Sequence, residues 1–206
     1  MRGLYLILDD DTRNAERLVH IARVGALAGV RIMQYRAKAG VDRALLGRLC
    51  AAAHSGGARL IVNDDWQAAR ELNADGVHLG QEDAARLDLG ALRAALGSHL
   101  LGISCGTPQE VRAAAAAGAD YAGVGAVYAT SSKADAGVPI GLAGLRAAVS
   151  ACTLPIVAIG GISAANIAAV ARTGAAMAAV ISAVAAAPDA GRAAAELVRC
   201  WQDASA

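Results

Sequence analysis

The sequence contains no phenylalanine, and aromatic residues make up only 3% of its 206 positions. Its hydrophobic fraction is nevertheless 56%, and alanine, valine, leucine and isoleucine supply most of it. This composition is typical of buried parallel strands that are covered by alanine-rich helices. The length suits one domain with a full hydrophobic core, and we expect that domain to span residues 1–206.

The charge and cysteine patterns make several classes of partner improbable. The formal net charge is +1 and no lysine- or arginine-rich run occurs, so no nucleic-acid face is expected. The apolar run at the N-terminus is too short for a signal peptide or a membrane span, so no membrane association is expected. Cys50, Cys105, Cys152 and Cys200 lack C-x-x-C or zinc-ligand spacing, which predicts separate reduced thiols in a cytoplasmic protein.

Eight short apolar runs alternate with eight helical patterns, and no change of composition divides them. This alternation predicts an α/β protein of the (β/α)8 TIM-barrel type. The alternative is an open doubly wound sheet, but acids stand where its glycine fingerprint would follow the first strand, and no P-loop is present. The predicted strands are 4–8, 31–35, 60–62, 77–79, 100–104, 121–124, 156–159 and 178–181, and the predicted helices are 15–28, 41–55, 66–72, 87–96, 108–117, 142–150, 164–173 and 191–203.

Carboxylates follow closely after the third and fourth predicted strands. Asp64 and Asp83 then lie past the same ends of two adjacent parallel strands, where they repel each other unless they share a cation. Carboxylate oxygens suit Mg²⁺, which completes its shell with water and substrate phosphate. The alternative is that Asp64 or Asp65 only caps the helix that begins at Trp66.

The other strand ends carry cations, amides and hydroxyls, a set that suits a polyphosphate bound with Mg²⁺. Arg36 can hold phosphate through two parallel hydrogen bonds, whereas a lysine acts as a point charge. Glycines after strand seven, followed by a helix that Ser163 would cap, predict a second phosphate site. The candidates at these strand ends are Gln34, Arg36, Lys38, Asn63, Asp64, Gln81, Asp83, Ser104, Thr130, Ser132, Lys133, Gly160, Gly161 and Ser182.

Each candidate also has a simpler interpretation. Lys38 and Lys133 are individually typical of solvated surface lysines, and Gly160 with Gly161 is typical of a tight turn. His78 lies inside an apolar strand, which favours a core histidine with a hydrogen-bonded ring over a catalyst. The prediction of a site therefore depends on the whole set.

The sequence resembles the thiamine phosphate synthase family from Leu4 to about Val184. The matching segments are 34–38 (QYRAK), 63–65 (NDD), 76–83 (GVHLGQED), 102–104 (GIS), 118–121 (GADY), 130–133 (TSSK), 158–162 (AIGGI) and 180–182 (VIS). Each segment is weak alone, but together and in this order they are highly specific.

The resemblance implies a transferase of thiamine biosynthesis that joins hydroxymethylpyrimidine diphosphate to thiazole phosphate with Mg²⁺. It implies that Gln34, Arg36, Lys38, Asn63 and Lys133 hold the diphosphate and that Asp64 and Asp83 bind Mg²⁺. It also implies that Ser104 faces the pyrimidine, with catalytic roles for Lys133, Arg36 and Ser104. The residues that it assigns to the thiazole phosphate are Thr130, Ser132, Gly161, Ile181 and Ser182.

The mechanism that the resemblance implies is dissociative and needs no protein nucleophile. Two segments depart from the family pattern: 129–133 lacks a proline before Thr130 and has Ser132 in place of threonine, and 105–107 reads Cys-Gly-Thr in place of Thr-His-Thr. The first departure keeps its hydroxyls, so we expect altered loop order with the chemistry retained. The second is expected to change the pyrimidine pocket.

Two rival functions remain open at the level of sequence. A thiazole tautomerase would resemble the same barrel but would lack the diphosphate and metal set, so the presence of that set argues against it. A non-catalytic thiamine-phosphate binding protein can be separated only by an assay. The partners expected are the two small-molecule substrates, and self-association into a homo-oligomer is compatible with the sequence.

Overall fold

Eight parallel strands close into a barrel in sequence order, with β8 hydrogen-bonded to β1. The computed structural model describes residues 1–10, 14–130, 132 and 137–205. The strands are β1 Gly3–Asp9, β2 Ile32–Arg36, β3 Arg59–Asn63, β4 Gly76–Leu79, β5 Leu100–Cys105, β6 Tyr121–Val124, β7 Ile156–Ile159 and β8 Met177–Val180. The predicted (β/α)8 barrel is therefore confirmed.

Helices follow every strand and form the outer layer of the barrel. They are α1 Ala15–Leu27, α2 Arg43–His54, α3 Trp66–Glu71, α4 Gln81–Ala85, α5 Leu89–Leu96, α6 Pro108–Ala116, α7 Gly141–Val149, α8 Ile167–Ala171, α9 Ser182–Ala185 and α10 Ala190–Ser205. Apart from α4, α8 and α9, element ends lie within two residues of their predicted positions. No helix in the described ranges is both long and apolar enough to cross a bilayer.

The strands separate two hydrophobic cores. In β1, Leu4, Leu6 and Leu8 pack outward against the helices, whereas Tyr5 and Ile7 point into the barrel. This division follows from the strand period, which sends successive side chains to opposite faces. The outer core is mainly aliphatic and the inner core is small. The inward positions near the strands' carboxyl ends are therefore available for polar groups.

The predicted start of one helix is wrong. Helix α8 begins at Ile167 after Asn166, and not at Ala164 after a Ser163 cap. The Ser163 N–H donates to Asn166 Oδ1 at 2.8 Å, and the Ser163 carbonyl accepts from the Ile167 N–H at 2.9 Å. A turn therefore separates the glycines from the helix, and the expected helix dipole does not begin beside them.

Two short helices were not predicted, because four or five residues give too few turns for an apolar period. Helix α4 follows β4 directly, so Asp83 lies in its first turn. Helix α9 follows β8 in the same way and begins at Ser182. Both helices turn the chain sharply at the carboxyl rim, which places a candidate site residue at each bend.

Candidate active site

Hydrogen-bonded polar side chains lie at the mouth of the barrel, at the ends of β2 and β3. Gln34 points inward and is only 3% exposed. Its Nε2 donates to Asn63 Oδ1 at 3.3 Å, and the Asn63 amide donates in turn to Asp64 Oδ2. These bonds satisfy buried polar groups, as a barrel interior requires. The structure thus brings three predicted site residues into one network.

The two predicted metal ligands converge at Gly80. The Gly80 N–H donates to Asp64 Oδ1 at 3.2 Å, and Asp83 Oδ2 lies 3.1 Å from where a Gly80 Cβ would stand. Burial raises the pKa of Asp64, the charge of Asp83 raises it further, and the Gly80 hydrogen bond and Arg36 oppose the rise. The predicted convergence of the acids is confirmed.

The capping interpretation applies to the neighbouring residue. Asp65, and not Asp64, caps α3 by accepting from the Ala68 N–H at 2.8 Å. Asp64 instead has a left-handed backbone, with φ of 64°, which turns its carboxylate toward β4. Such a conformation is uncommon outside glycine and is found at functional sites.

The donor set at this position fits Mg²⁺. Two carboxylates with an amide beside them leave room for water and phosphate oxygens, which is how Mg²⁺ is usually held. Among the described residues, no group of three or more histidines, cysteines and acids could hold a metal. The set is therefore too small for a closed structural zinc site.

Arg36 is positioned by a residue that sequence reasoning missed. The Arg36 guanidinium lies 2.5 Å from Asp9 Oδ2, and the two side chains are 16% and 10% exposed. Asp9 and Arg36 stand opposite each other in the β1–β2 register. The available signal is the acid directly after the first predicted strand, but an acid at that position is equally typical of a turn.

A cavity of about 290 Å³ has the predicted site residues Arg36, Lys38, Asn63 and Asp64 in its lining, with Asp65 beside them. It combines cations with a carboxylate and an amide, which suits a diphosphate with a divalent cation. Lys133, predicted to act beside them, lies outside the described residues. The structure thus assembles most of the predicted diphosphate set.

A larger cavity of about 580 Å³ lies at the ends of β5 to β8. Its polar side chains are mainly hydroxyls and amides, and glycines and alanines form much of its wall. The predicted site residues that line it are Gln81, Ser104, Thr130, Ser132, Gly160, Gly161, Ile181 and Ser182. This cavity suits two neutral rings with one small anionic group.

The two segments that depart from the family pattern have defined local structures. Thr107 caps α6 in a capping box with Glu110, which also accepts from the Gly106 N–H at 2.6 Å and from Gln81 Nε2 at 2.6 Å. In the other segment, Thr130 Oγ1 accepts from the Ser132 N–H at 3.2 Å. Ser131 and Lys133 lie outside the described residues, so the expected change of loop order stays a prediction.

The glycines after β7 leave space that a side chain would fill. Gly160 and Gly161 have φ of 102° and 62°. A Cβ on Gly161 would stand 2.4 Å from the Ala129 carbonyl oxygen and 2.8 Å from Tyr128 Cβ. The close approach of this backbone to the loop after β6 therefore requires glycine.

Gly161→Ala is expected to lower the melting temperature by several degrees, because a left-handed alanine costs about 1–2 kcal/mol and the clash adds to it. Gly57→Ala is the matched control, since Gly57 has φ of 75° and nothing within 4 Å of its built Cβ. Thermal unfolding of both variants isolates the clash. Equal losses would show that the backbone contact is unimportant.

The interpretation of His78 as a hydrogen-bonded core histidine is confirmed. Its Nδ1 lies 3.1 Å from the Tyr121 hydroxyl, and its Nε2 lies 3.0 Å from Ser104 Oγ. Tyr121 and its partner Tyr5 were not predicted to have polar roles. Their positions in apolar strands gave no signal, because the contact between them joins strands 116 residues apart in sequence.

The fold and the rim together are typical of (β/α)8-barrel enzymes that act on phosphorylated substrates, with acids and cations in one cavity and hydroxyls in the other. The family model for thiamine monophosphate synthase matches residues 4–184. A curated thiamine-phosphate synthase of Chloroflexus aurantiacus is 40% identical over 197 residues, which cover 94% of this chain and 90% of that protein. The corresponding protein of Moorella thermoacetica is 42% identical over 198 residues, with coverages of 94% and 93%.

A solved structure agrees with these relatives. Thiamine phosphate pyrophosphorylase from Pyrococcus furiosus superposes with a TM-score of 0.87 at 33% identity, covering 99% of this chain and 97% of that one. This chain belongs to the thiamine monophosphate synthase family. The resemblance seen in the sequence is therefore confirmed.

Proposed function

We propose that the protein joins hydroxymethylpyrimidine diphosphate to thiazole phosphate, giving thiamine phosphate and diphosphate. The observation that carries the proposal is the convergence of Asp64 and Asp83 beside Arg36, in a rim that also holds a larger hydroxyl-lined cavity. One cavity has the charges for a diphosphate, and the other has the size and polarity for two rings. The names of the family's curated members support the same reaction.

The diphosphate is assigned to the smaller cavity. Arg36, Lys38 and Asn63 line it and bind the diphosphate oxygens, Gln34 joins this set through its bond to Asn63, and Lys133 comes from the loop after β6. Asp64 and Asp83 would hold Mg²⁺, which neutralises charge on the diphosphate when bound. The Asp9 carboxylate holds the Arg36 guanidinium in place through their ion pair.

The reaction breaks one bond and forms one bond, and no proton needs to move. The bond between the methylene carbon and the diphosphate oxygen breaks, and its electron pair leaves with the diphosphate. The aminopyrimidine ring stabilises the methylene cation until the thiazole nitrogen donates its lone pair to form the new carbon–nitrogen bond. Arg36 and the lysines stabilise the growing charge on the diphosphate, while Ser104 orients the pyrimidine.

The thiazole phosphate is assigned to the larger cavity. Ser182 lies at the bend after β8, and Gly161 contributes backbone that approaches without a side chain. Thr130 and Ser132 face them from the loop after β6, and Ile181 supplies an apolar wall. This phosphate does not react, so its contacts should be similar in the ground and transition states.

Ser182→Ala is therefore expected to raise the KM for thiazole phosphate and to leave kcat nearly unchanged. Loss of a hydrogen bond to a charged group weakens affinity about ten- to a hundredfold. Steady-state kinetics measure the change, and calorimetry of the pyrimidine diphosphate alone serves as the control. A fall in pyrimidine diphosphate binding with an unchanged thiazole KM would show that the two substrates are assigned to the wrong cavities.

The direct test is formation of thiamine phosphate by the purified protein from both substrates, with and without Mg²⁺. We expect product only with both substrates, and loss of product when EDTA removes the cation. A binding-only protein would bind the substrates and form no product. A tautomerase would act on the thiazole alone and would not respond to EDTA.

We also infer a cytoplasmic location, which the four free cysteine thiols support. Cys50 and Cys105 are buried, and burial raises their thiol pKa values to about 11 and about 12. They therefore stay protonated and unreactive at neutral pH. A homo-oligomer remains part of the proposal, and size-exclusion chromatography with light scattering tests it.

A further inference from the structure

Four polar side chains form a continuous hydrogen-bonded chain through the barrel interior. The Tyr5 and Tyr121 hydroxyls lie 3.0 Å apart, and the Tyr121 hydroxyl lies 3.1 Å from His78 Nδ1. His78 Nε2 then lies 3.0 Å from Ser104 Oγ. The chain runs from the apolar core to a residue that lines the larger cavity.

Two glycines in β5 and β6 make room for this hydrogen-bonded chain. A Cβ on Gly102 would stand 2.1 Å from Tyr121 Cζ and 2.5 Å from His78 Nδ1, and one on Gly123 would stand 3.0 Å from His78 Cε1. Only glycine leaves room for both rings, which stack at 5.5 Å with an interplanar angle of 27°. The positions of the His78 and Tyr121 rings are therefore fixed by packing.

The number of protons available determines the direction of donation along the hydrogen-bonded chain. Burial raises the pKa of Tyr5 and of Tyr121 well above the ordinary range, so both keep their hydroxyl protons. In the described part of the protein, Tyr121 is the only hydrogen-bond partner of the Tyr5 hydroxyl. Tyr5 must therefore donate to Tyr121, because a buried donor without an acceptor is strongly disfavoured.

The remaining protons follow from this first one. With its oxygen accepting from Tyr5, Tyr121 donates to His78 Nδ1. His78 then carries its proton on Nε2 and donates it to Ser104 Oγ. A proton on Nδ1, in a neutral or a doubly protonated ring, would donate to the Tyr121 oxygen and leave one of the two tyrosine protons without an acceptor.

We propose that Tyr121 and His78 are positioning residues that make Ser104 a hydrogen-bond donor toward the cavity. Ser104 Oγ accepts from His78, so its own proton is free to point at the ligand. The ligand class that this selects is a ring with a hydrogen-bond acceptor, such as a ring nitrogen of an aminopyrimidine. This assignment rests on the proposed function, in which Ser104 faces the pyrimidine.

Nitrogen-15 NMR of histidine-labelled protein tests the direction without any substrate, since each tautomer has distinct ring-nitrogen shifts. We expect His78 to carry its proton on Nε2, with His78→Asn used to assign its signals. Tyr5→Phe should keep this tautomer, because His78 is then the one acceptor for the Tyr121 proton among the residues that the structure describes. Tyr121→Phe should give a mixture of tautomers.

Tyr35→Phe is the matched control, since it also removes a buried tyrosine hydroxyl. That hydroxyl donates to Asp10 at 3.0 Å and is not part of the hydrogen-bonded chain of Tyr5, Tyr121, His78 and Ser104. It should leave the His78 signals unchanged. A proton on Nδ1 in the unmodified protein would overturn the proposal. So would an unaltered tautomer in a folded Tyr121→Phe variant.

Substrate analogues test the consequence for specificity. Calorimetry compares the pyrimidine diphosphate with two analogues in which CH replaces either ring nitrogen. We expect one analogue to bind about ten- to a hundredfold more weakly to the unmodified protein. That difference should largely vanish in Ser104→Ala and shrink in Tyr121→Phe.

If Ser104→Ala and the unmodified protein show the same difference in affinity between the substrate and its analogues, Ser104 is not the hydrogen-bond donor. The two proposals can fail independently. If the His78 tautomer and the difference in affinity between the analogues are as expected but no thiamine phosphate forms, the proposed reaction is wrong while the role of the hydrogen-bonded chain is supported.

Discussion

Asn in place of Asp64 or Asp83 is expected to reduce turnover at limiting Mg²⁺ by about a hundredfold or more, the scale seen when charge stabilisation is removed from a transition state. Each variant removes one of two carboxylates that converge at Gly80. High Mg²⁺ or Mn²⁺ should restore part of the rate, because the remaining carboxylate still binds weakly. Steady-state kinetics over a range of metal concentrations measure both effects.

Thermal unfolding gives a readout of the same site without turnover. A cation that binds only the folded state raises its stability with concentration. The unmodified protein should therefore show a rising melting temperature with Mg²⁺, and both variants should lose most of that rise. Glu82→Gln is the matched control, since Glu82 is an exposed acid beside Asp83, 3.7 Å from Arg86.

The raised pKa of Asp64 adds a pH dependence with a definite sign. The folded, metal-free protein holds a proton on Asp64 at a pH where an unfolded chain has lost it. The free energy of unfolding should therefore fall as pH rises between the ordinary aspartate pKa of about 3.9 and the raised one. Asp64→Asn should remove that fall.

Binding of Mg²⁺ should weaken on acidification through the same range, because the cation competes with the proton. Titration calorimetry with Mg²⁺ in that range measures it. Full activity of both asparagine variants at limiting Mg²⁺, or an equal loss in Glu82→Gln, would show that the metal assignment is wrong.

Arg36→Ala is expected to slow the single-turnover rate about a hundred- to a thousandfold, because the guanidinium stabilises charge that develops on the departing diphosphate. It also leaves Asp9 buried without its arginine, so the melting temperature should fall. Arg36→Lys keeps the charge but loses the planar fork, and an intermediate rate is expected. Rapid-quench kinetics with both substrates saturating measure the chemical step.

Arg43→Ala is the matched control, since Arg43 is an exposed arginine whose partner is Glu71 on the neighbouring helix. It should keep the single-turnover rate, because its charge lies on the helical surface. A rate constant in Arg36→Ala equal to that of Arg43→Ala would contradict the assignment of Arg36 to the transition state.

The sequence by itself determined the barrel fold and the kinds of side chain that gather at its site. Apolar runs with strand length alternated with helical periods, and such a pattern has few ways to bury its surface other than a helix-covered parallel barrel. The same pattern placed Asp64 and Asp83 past adjacent parallel strands, so their convergence followed from topology. Local periods carry this information because hydrophobic burial acts on each element separately.

Local signals were weaker at bends and caps. Ser163 had the chemistry of a helix cap, but Asn166 and a turn before Ile167 took its place. Helices α4 and α9 were too short to show a period. At these positions backbone geometry, set by where the next strand must begin, outweighed residue preference.

Only the tertiary structure decided which polar groups meet across the barrel. The pairing of Asp9 with Arg36 depends on the register of β1 and β2, and a shift of one residue would send one of them outward. The contact of Tyr5 with Tyr121 depends on the barrel's closure and on the absence of a side chain at Gly102. Such contacts join distant segments at ångström precision, and no local pattern of residues encodes a distance of that kind.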